Sequence, residues 1–200
     1  MKNLRNTILL FVFLVATTHA VDAQTDSSTL QISAETDLID YTSLGGFSVW
    51  GTVQKHKNRL SISYVNFPNR YRGIYKETGV KDHDQWLRLS LWRYLNNKHS
   101  FFYGVNGEYH WRKLTEDESF EEISEDDIQI GTILGYHWRP FKAKESNLSD
   151  LSFSAWAGVN FRILSMREAR VFELTGSIYE LPPVFEPTGG VNIIYTLYTK

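Results

Sequence analysis

Arg88, Glu108, His110, Arg112 and Arg162 are the charged residues whose spacing could do chemistry. Glu108, His110 and Arg112 recur at every second position, which on an extended strand puts an acid, an imidazole and a guanidinium on one face. If the turn at Asn96–Ser100 is tight, Arg88 falls opposite Glu108 and Trp86 opposite His110. Arg88–Glu108 is then a cross-strand ion pair, with Arg112 and Arg162 near it. Ser61 or Ser63 with His110 and Glu108 has the residue types of a hydrolytic triad, but no nucleophile motif surrounds either serine. Folding the next hairpin about its loop pairs His110 with Gly131 and His137 with Gly104. The two imidazoles then stand about 20 Å apart, too far to share one metal ion. The expected role of this set is a polar network that fills an interior, with no catalytic residue, metal or cofactor.

Two further stretches carry charge. Residues 115–127 hold Glu116, Asp117, Glu118, Glu121, Glu122, Glu125, Asp126 and Asp127, read as a solvated acidic loop. Such a loop could attract Ca²⁺ or Mg²⁺, but it lacks the spacing and the central Gly of an EF-hand. Asn66 to Tyr75 interleaves Arg70 and Arg72 with Tyr71 and Tyr75. Paired guanidiniums beside aromatics suit a rim that meets lipid phosphates.

The elements that position these groups alternate with period two, the mark of half-buried strands. Phe101, Tyr103, Val105, Gly107, Tyr109 and Trp111 share one face of a strand whose other face carries Phe102, Gly104, Asn106, Glu108, His110 and Arg112. Ile128–Arg139 and Leu151–Ile163 repeat the pattern, and Gly135 falls across from Trp156. Shorter alternations near Leu30–Leu38, Phe47–Gln54, Leu60–Tyr64, Leu87–Trp92 and Val191–Tyr198 bring the expected strands to eight. Their connections are expected to run short at Asp40–Leu44, Lys55–Asn58 and Asn96–Ser100. They run long at Asn66–Asp84, Leu114–Asp127 and Leu164–Thr188, with a medium one at Phe141–Asp150. Within the last long connection, Val171–Leu174 and Ile178–Tyr179 alternate as strand extensions. Short turns on one side and long loops on the other are the habit of membrane-spanning barrels.

Lysines fall in turns, loops and strand ends, whereas mid-strand polar faces carry Ser, Asn, Gly, Glu and Arg. The apolar face of Phe101–Trp111 brackets its middle with aromatics, as a lipid-facing band does. That span covers about 33 Å of strand and roughly 25 Å of height at the usual tilt.

Composition excludes several classes. A net charge of −2 leaves no basic surplus for a nucleic acid, and zero cysteines exclude disulfide scaffolds, thiolate catalysis and cysteine-held metals. Residues 1–23 read as a secretory signal peptide: Lys2 and Arg5, an apolar run from Ile8 to Ala16, then Val21-Asp22-Ala23 at the cleavage position. The domain proper is then 24–200.

The signal peptide, eight amphipathic strands and loop parity resemble the small eight-stranded outer-membrane barrels of Gram-negative bacteria. Gly190 to Leu197 is similar to their C-terminal assembly signal, although this chain closes on Tyr198-Thr199-Lys200 rather than on an aromatic. The resemblance implies an all-β, eight-stranded antiparallel up-and-down transmembrane barrel with long extracellular loops, located in the outer membrane. It implies membrane lipid, including lipopolysaccharide, as the surroundings, but no single activity. The expected function is a non-enzymatic barrel with a plugged polar lumen and a structural or surface-interaction role. A lipid A or phospholipid-modifying enzyme and a soluble, lipocalin-like periplasmic barrel are the alternatives.

Overall fold

A computed structural model describes residues 30–42, 45–70, 80–95, 100–116, 122–141, 150–165, 171–174, 177–180 and 185–199. Residues 1–23, expected as a signal peptide, and Arg72 lie outside them. The strands are β1 (Leu30–Asp37), β2 (Phe47–Lys55), β3 (Asn58–Arg70), β4 (Val80–Tyr94), β5 (Phe101–Glu116), β6 (Glu122–Trp138), β7 (Leu151–Ser165), β8 (Val171–Leu174), β9 (Ser177–Glu180) and β10 (Phe185–Thr199). A single turn of helix, α1 (Leu38–Thr42), follows β1. Eight strands close in the order β1-β10-β7-β6-β5-β4-β3-β2, each antiparallel to its neighbours. Strands β8 and β9 form a separate two-stranded sheet.

Closure removes every edge of the eight-stranded sheet, and the period-two pattern then sorts its side chains between an inside and an outside. On β2, Ser48, Trp50, Thr52 and Gln54 are buried while Val49, Gly51 and Val53 are exposed. Outward-facing aliphatics form a belt: Ile62 is 59% exposed, Leu89 53% and Leu134 67%. Aromatic pairs bracket it. Phe101–Tyr136 and Trp138–Phe153 lie at one end, with centroids 4.9 and 5.9 Å apart. Tyr64–Trp111 and Tyr109–Trp111 lie at the other, at 6.1 and 5.8 Å.

Turns set the register. Between β2 and β3 the chain reverses at His56 and Lys57, with His56 in the left-handed region at φ 54°. Pro68 cannot donate to a ladder, and the β3–β4 register shifts between Phe67 and Arg70.

Three expectations change. Strands β5 and β6 continue to Glu116 and from Glu122, so the supposed loop Leu114–Asp127 contracts to 117–121. The short-long alternation of connections is therefore not kept, since 139–150 outruns 117–121. The cause is on the inner face: alternate residues of the acidic run, Glu125 and Asp127, turn inward and are buried. Likewise, β5 pairs with β6 so that His110 faces Asp127 and Gly104 faces Ile133, not Gly131 and His137. The β4–β5 register is as the tight turn requires, with Arg88 opposite Glu108 and Trp86 opposite His110.

One seam depends on a missing side chain. Val191 N–H donates to Asp37 Oδ1 at 3.2 Å, and Asp37 Oδ2 occupies the space that a Cβ on Gly190 would fill. Gly190→Ala is expected to expel the Asp37 carboxylate and weaken the β1–β10 closure by about 1–3 kcal/mol. A lowered urea midpoint of the protein refolded in detergent measures it.

Candidate functional site

Inside the barrel, β5 aligns Asn106, Glu108, His110 and Arg112 along its inner face, all buried. Glu108 is the hub. Its Oε1 accepts from Arg88 Nε at 2.7 Å, Asn106 Nδ2 at 2.6 Å and Asn160 Nδ2 at 2.8 Å. Its Oε2 meets His110 Nε2 at 2.8 Å. The other ring nitrogen of His110 lies 3.3 Å from Asp84 Oδ1, and Arg112 donates to Asp84 Oδ2 at 2.9 Å. Beyond Arg112 the ladder continues to Glu125 at 4.0 Å, and Arg162 reaches Asp127 at 3.2 Å. Arg88, Glu108, His110 and Arg112 thus sit in one connected system, with the Arg162–Asp127 pair beside it, and alternating signs let these buried charges meet their opposites.

Gly131 makes the hub possible. A Cβ there would overlap Asn160 and Asn106, the two amides that donate to Glu108. Trp86 stacks on His110, with centroids 4.9 Å apart and planes 21° apart, and fixes the imidazole from one side.

A layer of aromatics crosses the interior next to this network, contrary to the expectation of a purely polar filling. Trp50, Trp92, Tyr94, Phe102, Ile133 and Trp156 form one buried cluster. Trp92 and Phe102 stack nearly parallel at 4.7 Å. Arginines cap the layer: Arg88 lies 4.9 Å from the Trp156 centroid and Arg59 lies 4.7 Å from that of Trp92. Arg59 pairs with Glu35, which also bonds Thr52 and Asn192. Arg59 further donates to Tyr94 OH at 3.1 Å, and that hydroxyl meets His137 Nδ1 at 2.9 Å. His110 and His137 therefore belong to different networks.

The serine triad does not assemble. Ser63 faces Arg88 in register and Ser61 bonds Thr52 at 3.1 Å, while both nitrogens of His110 are turned to carboxylates. A base with no proton to take from a neighbouring hydroxyl has no nucleophile to activate. Of the Arg70–Arg72 rim, the backbone of Arg70 lies opposite Asp82.

Sequence reasoning missed Asp84, Glu125, Asp127 and Arg59. Asp84, Glu125 and Asp127 keep the parity of the inner face of their strands, but fall in stretches whose charge reads as loop. Arg59 keeps the parity of Ser61, one position ahead of the alternation that begins at Leu60.

Fold and site together define a closed eight-stranded antiparallel barrel with an apolar exterior and an interior of paired charges and aromatics. No family model matches the chain, and no curated protein does. Among solved structures it is similar to Neisserial surface protein A, NspA, at 11% identity and a TM-score of 0.46 over 84% of this chain and 96% of that one. It is similar to a major outer membrane protein from Thermus thermophilus, at 12% identity and a TM-score of 0.49 over 86% and 100%. A third is the N-terminal β-barrel domain of Pseudomonas aeruginosa OprF, at 12% identity and a TM-score of 0.39 over 84% and 97%.

Proposed function

We propose that this chain is a non-enzymatic barrel of a bacterial outer membrane, its lumen plugged by side chains, acting through structure and surface contact. The observation that carries the reading is the inverted distribution of polarity. Large aliphatics such as Leu134 and Ile62 stand exposed between two aromatic girdles, while Glu108, Arg112 and Asp84 are buried. A water-soluble barrel that holds an apolar ligand needs the opposite arrangement. Lipid is the solvent that this exterior fits, and outer-leaflet phosphates, including those of lipopolysaccharide, are the partner for Arg70 and Arg72.

Heat modifiability tests the location: the protein is expected only in detergent extracts of the envelope, and its gel mobility shifts on boiling. A freely soluble protein with no shift overturns the proposal. The plug has its own test. In planar bilayers the folded protein is expected to give no steady conductance, because the salt-bridged ladder and the aromatic layer fill the bore.

A further inference from the structure

On the outer wall of β2–β5, next to the connections at His56–Lys57 and 95–100, polar residues line up in direct register. Lys55 faces Asn58, Asn58 faces Arg93, and Arg93 faces Tyr103. Lys55 keeps the outward parity of Val53 and is exposed, and Arg93 keeps the outward parity of Leu89 and Leu91. Two strand spacings put the backbones of the two cations roughly 10 Å apart, so their long side chains reach one phosphate between them. No acid of these strands shares the row. Asp84 and Glu108 are buried inside, Asp82 and Glu116 fall at the opposite ends of β4 and β5, and β2 and β3 contain none. The second observation concerns shape. The next outward row is Val53, Leu60, Leu91 and Val105, and the row after it is Gly51, Ile62, Leu89 and Gly107. Ile62 and Leu89 stand out as an exposed ridge. A Cβ on Gly107 would meet nothing within 4 Å, and one on Gly51 only Ile62 at 3.9 Å, so open space flanks the ridge on both sides. The wall thus changes from cations to hydrocarbon within one pair of residues, as a lipid does from its phosphate to its chains.

We infer that this face holds one anionic glycerophospholipid from the leaflet at the His56–Lys57 end of the barrel. Its phosphate lies between Lys55 and Arg93, and its acyl chains run along the Ile62–Leu89 ridge past Gly51 and Gly107. Ammonium and guanidinium both donate to phosphate oxygens, and the guanidinium fork holds two at once. The row offers two cations and no carboxylate, so it has nothing to answer the ammonium of a zwitterionic headgroup. A headgroup of net negative charge is therefore selected. This site is separate from the rim at Arg70, which lies at the other end of β3. The inference rests on the membrane reading above and names a lipid that the reading leaves open.

Native mass spectrometry of the full-length protein, folded in a non-ionic detergent, tests it. The probes are phosphatidylglycerol and phosphatidylethanolamine with the same acyl chains. One phosphatidylglycerol is expected to stay on each barrel, with phosphatidylethanolamine held about fivefold more weakly. Lys55→Gln and Arg93→Gln are each expected to weaken phosphatidylglycerol about fivefold, the worth of one cation beside an anionic lipid. Lys113→Gln, near the far end of β5, leaves retention unchanged. Gly107→Leu keeps both cations and fills the space on one side of the ridge, so it too weakens retention. An unboiled gel shows that each variant has folded. Equal retention of the two lipids overturns the site, as does full retention by the folded double variant Lys55→Gln with Arg93→Gln. A dimer that excludes the lipid overturns it in favour of a second copy on this face. Unchanged retention by Gly107→Leu overturns the placement of the acyl chains. A protein soluble without detergent fails the membrane reading, whereas a heat-modifiable protein that keeps no phosphatidylglycerol fails this inference alone.

Discussion

Glu108→Ala is expected to cost the barrel about 3–5 kcal/mol of stability, the range for breaking one partner out of a buried ion pair. Four donors lose their acceptor together: Arg88, Asn106, Asn160 and His110. The guanidinium of Arg88 suffers most, since its side chain is 5% exposed and cannot turn to water. Denaturant titration of the protein in detergent or vesicles measures the loss. The size of the effect separates this pair from ion pairs on the surface. Lys113 and Glu122 approach to 2.6 Å with side chains about half exposed, at 45% and 49%. Glu122→Ala is expected to cost below about 1 kcal/mol, because solvent and mobility erase most of such a pair. The double change Arg88→Met with Glu108→Leu removes both charges and is expected to recover the part of the loss that comes from the unpaired guanidinium, while Asn106, Asn160 and His110 still lack their acceptor. If Glu108→Ala unfolds where the natural chain does, the ladder is not what holds the interior.

The fold is legible in the sequence because its period is two. A register error of an even number of residues moves side chains along a strand without turning them over. The expected pairing of His110 with Gly131 misses the observed pairing with Asp127 by four positions, and His110 nevertheless faces inward. Arg88 opposite Glu108 is legible because only residues 95–100 separate the end of β4 from the start of β5. The β5–β6 hairpin offers no such fixed point. Its acids read as a solvated run, and only Arg112 and Arg162, on the strands either side of β6, explain why Glu125 and Asp127 remain in the strand. The aromatic layer is illegible for a related reason. Trp50 and Trp156 stand alone among small or polar inward neighbours on their own strands and Trp92 has only Tyr94 beside it, and they become a cluster only when three separate strands are brought around the closed barrel.

Leu89→Arg should decide whether the exterior meets lipid. Leu89 is central on the outer face of β4 and 53% exposed, and its cross-strand neighbours are Ile62 and Gly107. Around Gly107 there is open space, so a guanidinium at position 89 meets no steric obstacle. Any cost is therefore one of solvation. In a bilayer, arginine near the midplane of a barrel costs about 2–4 kcal/mol, falling to about 0–1 near the interface. In water, a surface change of this kind stays within about 0.5 kcal/mol. Thr115→Arg places the same group at the loop end of β5, beyond the Tyr109–Trp111 girdle. We expect refolding into vesicles to show a loss of about 2–4 kcal/mol for the first variant and less than about 1 kcal/mol for the second. A soluble barrel gives two small and equal changes, since water does not distinguish the depths. The difference between the two variants, rather than either value, separates lipid from water: only a medium with a low-dielectric centre makes position along the strand matter.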